Sequence, residues 1–494
     1  MAVIPAFDEI PLDWRVPGAD LEIRPTYTEA GLFDYPARGL IIAPKLSTGT
    51  AEAGRLYRVT RPSDGIALCG AGSIGAAMID AARTANRSSD LWMVAIPDAA
   101  GATAATGKIA FGNALGAGAL AVYIGGRRVR IVLTTSMTAP QRAAALVAAI
   151  NADTAMPVVA AQGTSSATHE VLLTARHGGE TGNDIPIRLG LQADEVLPAG
   201  AQVTVTAMSG GAGDPDVQDA IDAINEQKFD AIALPWTGDA NLSLLAEELR
   251  QRYTAMARLD GHGYAASRGT FGQLTTKGQV TNSPHMTLIG ADASPTPPWI
   301  WAATLMAVSI FHLTQDPARQ LRTLQLPGVI APDPASLFSE TEQDLLLRSG
   351  ISTFTAGTDR SVYLSRVITT YRQTALGTAD SAWLDINVPV TLSRIRYDWR
   401  ATMQLTYPRH KLAEDGSIAE AHSKVVATPR KVRGTWAARC NVYGRAGWIR
   451  DVKRTLESST FMIDPDEKNQ MLANMPVNII GNLIRFNGVL EFEA

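Results

Sequence analysis

The chain has 494 residues, 46% apolar and 19% charged, with a net charge of −4, a size for roughly three domains and a composition that can bury a large core. Its 42 Gly and 27 Pro make about 14% of the chain, far below the ~25–30% of low-complexity sequences, so global disorder is excluded. The most apolar stretch, Trp299–Leu313, has 15 residues and includes Thr304, Ser309 and His312, short of the ~20 that a membrane span needs.

The first 15 residues contain Asp8, Glu9, Asp13 and Arg15, which does not read as a secretory signal. Two cysteines, Cys69 and Cys440, cannot staple a secreted scaffold, so folding in a reducing cytoplasm is expected. Residues 1–19 read as an extended arm. Pro5, Pro11 and Pro17 recur every six residues, with Ile4, Phe7, Ile10, Leu12 and Trp14 between them. Proline fixes φ and removes a donor, which excludes helix and central strand, and the apolar content is too high for a solvated tail. Such an arm wants a groove or a sheet edge, on its own chain or on a neighbour.

Residues 20–103 alternate strand and helix. Leu21–Tyr27, Gly39–Ala43, the short run Ile66–Cys69 and Leu91–Ile96 are expected strands, and a helix runs from Gly75 to about Arg83. That rhythm predicts an α/β layer. Residues 104–208 read as an inserted β-rich domain. Ala119–Ile124 and Arg128–Leu133 flank Gly125-Gly126 as a hairpin. A helix over Ala139–Ile150 opens near Pro140. Val158–Ala161, Val171–Ala175, Ile185–Leu191 and Val203–Ala207 are short strands. Residues 209–375 return to α/β. Asp216 is expected to cap a helix through Ile224. Phe229–Leu234 is a buried strand, and Asn241–Met256 a helix with Leu242, Leu245 and Leu249 on one face. Strands follow near Tyr264 and at Met286–Ile289, then a buried helix Pro298–Leu313. A helix Thr341–Arg348 stops at Gly350, before strands at Ile351–Phe354 and Val362–Thr370. Residues 376–476 form a basic, mostly amphipathic C-terminal α+β domain, and 477–494 a terminal strand arm.

The charge is unevenly spread. Residues 390–454 hold fourteen Lys/Arg and five Asp/Glu, whereas 455–494 hold two and six. Such asymmetry suggests a basic face for an acidic partner, the alternative being a solvated surface. At the far end, Ile484, Phe486, Leu490 and Phe492 all occupy even positions, and Arg485, Asn487, Glu491 and Glu493 odd ones. One continuous strand therefore gathers the apolar set on one face, whereas a hairpin at Asn487-Gly488 would split it. A strand needs a partner edge: an internal sheet, or a sheet of another copy.

Catalytic signals are scarce. Gly70-Ala-Gly72-Ser-Ile-Gly75 has the dinucleotide G-x-G-x-x-G pattern, with Asp98 about 23 residues on. Its preceding strand is short and does not open the domain, so a glycine-rich helix start is the bland reading. A cytoplasmic dinucleotide-dependent oxidoreductase using Gly70–Gly75 is the alternative function. Gly101–Lys108 has one residue too many for a phosphate loop, and Ile109 stands where Ser/Thr would hold magnesium. Ala71 spoils a nucleophile elbow at Ser73. The seven histidines, 169, 177, 262, 285, 312, 410 and 422, never pair at i, i+4, and no cluster has metal-ligand spacing. No catalytic, cofactor or metal residue is assigned.

The order of several short motifs resembles the tail sheath proteins of contractile-tailed bacteriophages, of the Mu-like type. These are Phe7-Asp-Glu-Ile-Pro11 with Arg15-Val-Pro17-Gly18, Gly70–Ser73 through Leu91-Trp92, Gly179–Ile185 with Ile187-Arg188, and Gly210–Pro215. Asp316–Arg319, Leu326–Val329, Leu346–Ile351 and Val367–Tyr371 follow. The resemblance spans nearly the whole chain. It implies an α/β sheath core, subtilisin-like in fold over 209–375, without an assignable triad; Gly261-His262-Gly263 is only an echo of one. It implies a structural subunit that polymerises as stacked hexameric rings around a tail tube and contracts to drive the tube through the host envelope. No cofactor, nucleic acid or membrane is then contacted directly. The partners would be further copies of the chain, the tube protein, and baseplate and terminator proteins, in a virion assembled in the host cytoplasm. Ile4, Phe7, Ile10, Trp14, Ile484, Phe486, Leu490 and Phe492 would make inter-subunit arm contacts. Arg430, Lys431, Arg433, Arg439 and Arg445 are the tube-facing candidates.

Overall fold

A computed structural model describes residues 31–492 apart from 114, 115 and 193. The described residues divide into two compact units, one of residues 35–396 with 479–492, the other of residues 31–34 with 397–478. The expected strand Leu21–Tyr27 and the proline-punctuated arm lie outside the described residues.

The larger unit opens with β1 (Arg38–Lys45), β2 (Leu56–Val59), α1 (Pro62–Cys69), α2 (Ile74–Ala85) and β3 (Asp90–Pro97). An inserted stretch follows: β4 (Ala104–Phe111), β5 (Gly118–Ile124), β6 (Arg127–Leu133), α3 (Ala139–Ala152), β7 (Val158–Gln162), β8 (Glu170–Gly178), β9 (Ile187–Leu189) and β10 (Val203–Ser209). The layer then resumes with α4 (Gln218–Ile224), β11 (Ala231–Ala233), α5 (Asp239–Arg252), β12 (His262–Ser267), α6 (Phe271–Gly278), β13 (Met286–Gly290), α7 (Pro298–Gln315), β14 (Gln325–Ile330), α8 (Glu340–Arg348), β15 (Ile351–Ala356) and β16 (Ser361–Arg366).

One nine-stranded sheet runs β14-β16-β15-β13-β12-β11-β1-β3-β2. Its centre is parallel, with β1 paired to β3 over eight residues and to β11 over three. Alternate side chains feed two separate cores. Ile41, Ala43, Met93, Ala95 and Tyr264 pack on one face with Met78 and Leu305, whereas Leu40, Ile42, Val94, Ile96 and Ile232 pack on the other with Leu245, Leu249 and Leu346. A sheet covered on both faces explains why its strands read as unbroken apolar runs. Helix α7 is apolar on every side and correspondingly buried. No helix among the described residues is long and apolar enough to cross a membrane.

The insertion builds two antiparallel sheets, β10-β4-β8-β7 and β6-β5-β9. Gly125 and Gly126 have φ of 59° and 79°, the pair of positive values that a tight hairpin turn requires. The run Ile66–Cys69 is helix and not strand. Pro62 starts α1, and the Asp64 carboxylate accepts from the N–H groups of Thr60 and Arg61. Asp216 does not cap α4 directly: its carboxylate accepts from Gln218 N–H one turn-step inside, and Val217 holds the cap position. Helix α5 stops at Arg252, four residues before Met256, and β16 stops at Arg366.

Helix α9 (Asn387–Thr406) carries the chain into the smaller unit, which contains β17 (Lys411–Leu412), α10 (Ile418–His422), β18 (Val426–Ala427), α11 (Pro429–Arg445), α12 (Val452–Glu457), β19 (Thr460–Ile463) and β20 (Met471–Asn474). In α11, Val432, Trp436, Arg439, Cys440 and Tyr443 are buried on one face. Trp436 donates its indole N–H to Ser459 Oγ (3.1 Å), which ties α11 to the start of β19.

Candidate functional site

The glycine loop between α1 and α2 is filled by the protein itself. A Cβ on Gly72 would lie 2.5 Å from the Met156 carbonyl oxygen, and one on Gly75 2.6 Å from that of Pro44. A pyrophosphate would need the free N–H groups at the start of α2. Two of these are already engaged: Ala76 N–H donates to Ser73 Oγ (3.1 Å), and Ile74 N–H to His177 Nε2 (3.2 Å). Asp98, which the dinucleotide reading places on a ribose, instead faces His177 Nδ1 at 2.6 Å and accepts from Gly178 N–H at 2.8 Å. The loop is a packed junction between the parallel layer and the insertion. Gly107 of the near-miss phosphate loop lies inside strand β4.

The C-terminal segment is a different kind of feature. Residues 480–492 take part in no strand ladder. Phe486, Val489, Leu490 and Phe492 are 85%, 87%, 96% and 86% exposed, and Leu483 73%. Ile484 is half-buried. Side chains of the body hold the segment at its root, where Gln320 Nε2 donates to the Leu483 carbonyl (3.2 Å) and Arg322 Nη1 to that of Ile484 (3.0 Å). The strand expected here is a run that pairs with no other strand among the described residues. Large side chains this exposed in succession are unusual for a monomer and mark an interaction surface.

The smaller unit offers a complementary feature. Strands β19 and β20 form a two-stranded antiparallel ribbon that no third strand joins among the described residues. Met462 pairs across with Leu472, and both point outward, 52% and 39% exposed. Phe461, Ile463 and Met471 on the other face are half-buried. An isolated two-stranded ribbon is marginal in water, and among the described residues no further strand covers either of its long edges. The sequence reading missed this ribbon, although Thr460-Phe-Met-Ile463 is a β-prone run.

The five basic candidates do not form one surface. Arg430, Arg433 and Arg445 are exposed on α11, at spacings that place them along one face. Arg430 pairs with Glu420 (3.2 Å); backbone donation from Gly416, and after it this pair, hold that carboxyl below its usual range. Arg433 donates to the Leu456 carbonyl (3.1 Å). Lys431 is half-buried and donates to the Val426 carbonyl (2.9 Å). Arg439 is the correction. It is 5% exposed and bonds both oxygens of Asp398 at 2.7 and 2.8 Å. Tyr443 donates to the same carboxylate (2.6 Å), as does the main chain of Phe33 (3.2 Å). Burial and that bond push the Tyr443 hydroxyl well above its ordinary pKa. Arg439 is therefore a core residue, too buried in the single chain for the exposed basic face expected of it. Ile4, Phe7, Ile10 and Trp14 lie outside the described residues.

Residues 210–370 match the family profile described as the phage tail sheath protein central domain. Over 474 residues the chain is 31% identical to the Mu-like prophage FluMu tail sheath protein of Haemophilus influenzae, covering 96% of each. Its fold is similar to that of the helical sheath of the anti-feeding prophage in the contracted state, with a TM-score of 0.50 at 10% identity over 97% of this chain and 99% of that one. A chain of the contracted baseplate of the same particle gives 0.50 at 10% identity, over 95% and 97%.

Proposed function

The chain belongs to the phage tail sheath proteins, a structural part of the virion, and from that premise we propose that it polymerises as stacked hexameric rings around a tail tube by exchanging strands between copies. The observation that carries the reading is the exposed apolar run at 486–492 together with an unfinished ribbon at β19–β20. Among the described residues, each lacks what the other supplies. The eight residues 485–492, at ~3.3 Å per residue, reach about 26 Å from the root, enough to lie along the four-residue edge of another copy's ribbon. Ile4, Phe7, Ile10 and Trp14 of a further copy take the remaining edge. The ribbons then remain joined while subunits move, as contraction demands.

Contraction drives the tube through the host envelope for genome delivery by burying more surface between subunits. A further ~300 Å² of apolar area per subunit would supply about 7 kcal/mol at ~25 cal/mol/Å², of which ordering and desolvation leave a fraction. Summed over many copies, that fraction requires no nucleotide. Arg430, Arg433 and Arg445 face the tube, since exposed charge pairs are individually weak and suit a grip that must release. Baseplate and terminator proteins close the two ends, and assembly takes place in the host cytoplasm.

Deleting 485–494, and separately 1–19, tests the reading by light scattering and negative-stain microscopy. Loss of tubes with an unchanged monomer melting curve is expected. Tubes of normal length from both truncated chains would overturn strand exchange, and unaltered tube-templated assembly after neutralising Arg430, Arg433 and Arg445 would overturn the tube contact.

A further inference from the structure

We propose that the loop 316–324, between α7 and β14, is the bearing of the C-terminal arm, with Gln320 and Arg322 as positioning residues that set where and in which direction the arm leaves the subunit. The inference rests on the strand-exchange reading. Gln320 and Arg322 donate to two consecutive main-chain carbonyls, those of Leu483 and Ile484, at 3.2 and 3.0 Å. Beyond that point, among the described residues, no hydrogen bond joins 485–492 to the rest of the chain. The two donors thus mark the boundary between anchored chain and projecting arm.

The loop that presents them is itself held firmly. Asn387, 6% exposed, donates to the carbonyls of both Pro317 and Arg319 at 2.8 Å. Asp316 accepts from Ala318 N–H (3.2 Å). Leu321, 2% exposed, points inward, so that Gln320 and Arg322 on either side of it point out. Thr323 has φ of +65°, a conformation that a β-branched residue adopts only when its surroundings impose it. Here its N–H donates to Leu364 (2.8 Å), and Leu364 N–H returns to Leu324 (2.9 Å). A strained residue next to Arg322, fixed from both sides, is the expected build of a rigid support.

The physical role is pre-organisation. An arm free at its root samples many directions, and only the fraction that meets a neighbour's edge binds, so apparent affinity falls by that fraction. Two bonds at the root narrow the range before the neighbour arrives.

The test is the double variant Gln320→Ala with Arg322→Ala. Spin labels at Val489→Cys and Val132→Cys, both exposed sites, report the spread of arm positions in the monomer. The expected results are a broader distance distribution, a critical concentration for assembly raised about five-fold (about 1 kcal/mol at 1.4 kcal/mol per tenfold) and an unchanged melting temperature. Arg322→Lys, which keeps one donor, should recover part of the assembly defect. An equally narrow distribution in the double variant overturns the bearing. So does an unchanged critical concentration when deletion of 485–494 abolishes assembly. If that deletion leaves assembly intact, strand exchange itself has failed.

Discussion

Replacing Phe486 by Ala tests the apolar face of the C-terminal arm most directly. The ring is 85% exposed in the single chain, so removing it deletes few intramolecular contacts. On a neighbour's ribbon the same ring would be covered, and full burial of a Phe side chain contributes about 1.5–3 kcal/mol. Taking about 2 kcal/mol after the retained methyl group is allowed for, each inter-subunit contact weakens roughly 30-fold. The critical concentration, read by pelleting and light scattering, should rise by about that factor while the melting temperature of the monomer stays within about 1 °C. Asn487→Ala is the control, because it changes the opposite face of the strand; a surface change of that kind is worth within about 0.5 kcal/mol. A shift for Phe486→Ala below about three-fold, roughly the size expected of such a surface change, would refute the reasoning, as would an equal shift for Asn487→Ala, since the alternation of faces would then carry no information.

Asp398→Asn should lower the melting temperature of the smaller unit by roughly 10 °C or more, because leaving a buried guanidinium uncompensated costs about 3–5 kcal/mol; a near-neutral result would show that Arg439 reaches solvent. Burial pushes His285 down to about 4, with Arg396 pushing the same way and Asp260 opposing. The folded chain then holds fewer protons there than the unfolded chain, so stability is fully present above about pH 6.5 and falls by about 3 kcal/mol as pH drops toward 4. Melting curves over that range should show the slope, and His285→Gln should reduce it, the remainder being carried by His262, which burial also pushes down. Gly75→Ala should destabilise by about 1–3 kcal/mol through overpacking against Pro44. Millimolar nicotinamide or flavin dinucleotide should leave the parent chain's melting temperature unmoved, and a saturable rise would revive the cofactor reading.

What could be read from the sequence depended on how many constraints converged on each segment. β1, β3 and α7 were legible because burial on all sides leaves an uninterrupted apolar run, and the β5–β6 hairpin because two glycines sit between alternating strands. Ile66–Cys69 was misread because four apolar residues carry no period; Pro62 and Asp64, upstream, decide for helix. β4 is hard to read because Gly107 interrupts the inward alternation of Ala105, Ile109 and Phe111, all buried. For the C-terminal arm, parity predicts a strand, and among the described residues 480–492 join no ladder; the ribbon it is proposed to complete was not legible, since nothing in Thr460–Ile463 says which strands lie beside it. Arg439 was open to correction from the sequence: it follows Val432 and Trp436 and precedes Tyr443 on the buried face of α11, while Arg430, Arg433 and Arg445 fall on the outer one.

The brevity of β19 and β20 has a consequence for error correction. An edge of four residues gives an incoming strand only a handful of main-chain bonds, each worth about 1 kcal/mol net. Under strand exchange, a copy seated out of register would dissociate before its neighbours locked it in place, and permanence would come only when several arms closed over one another. A growing lattice of this kind repairs itself at its tip and becomes irreversible behind it.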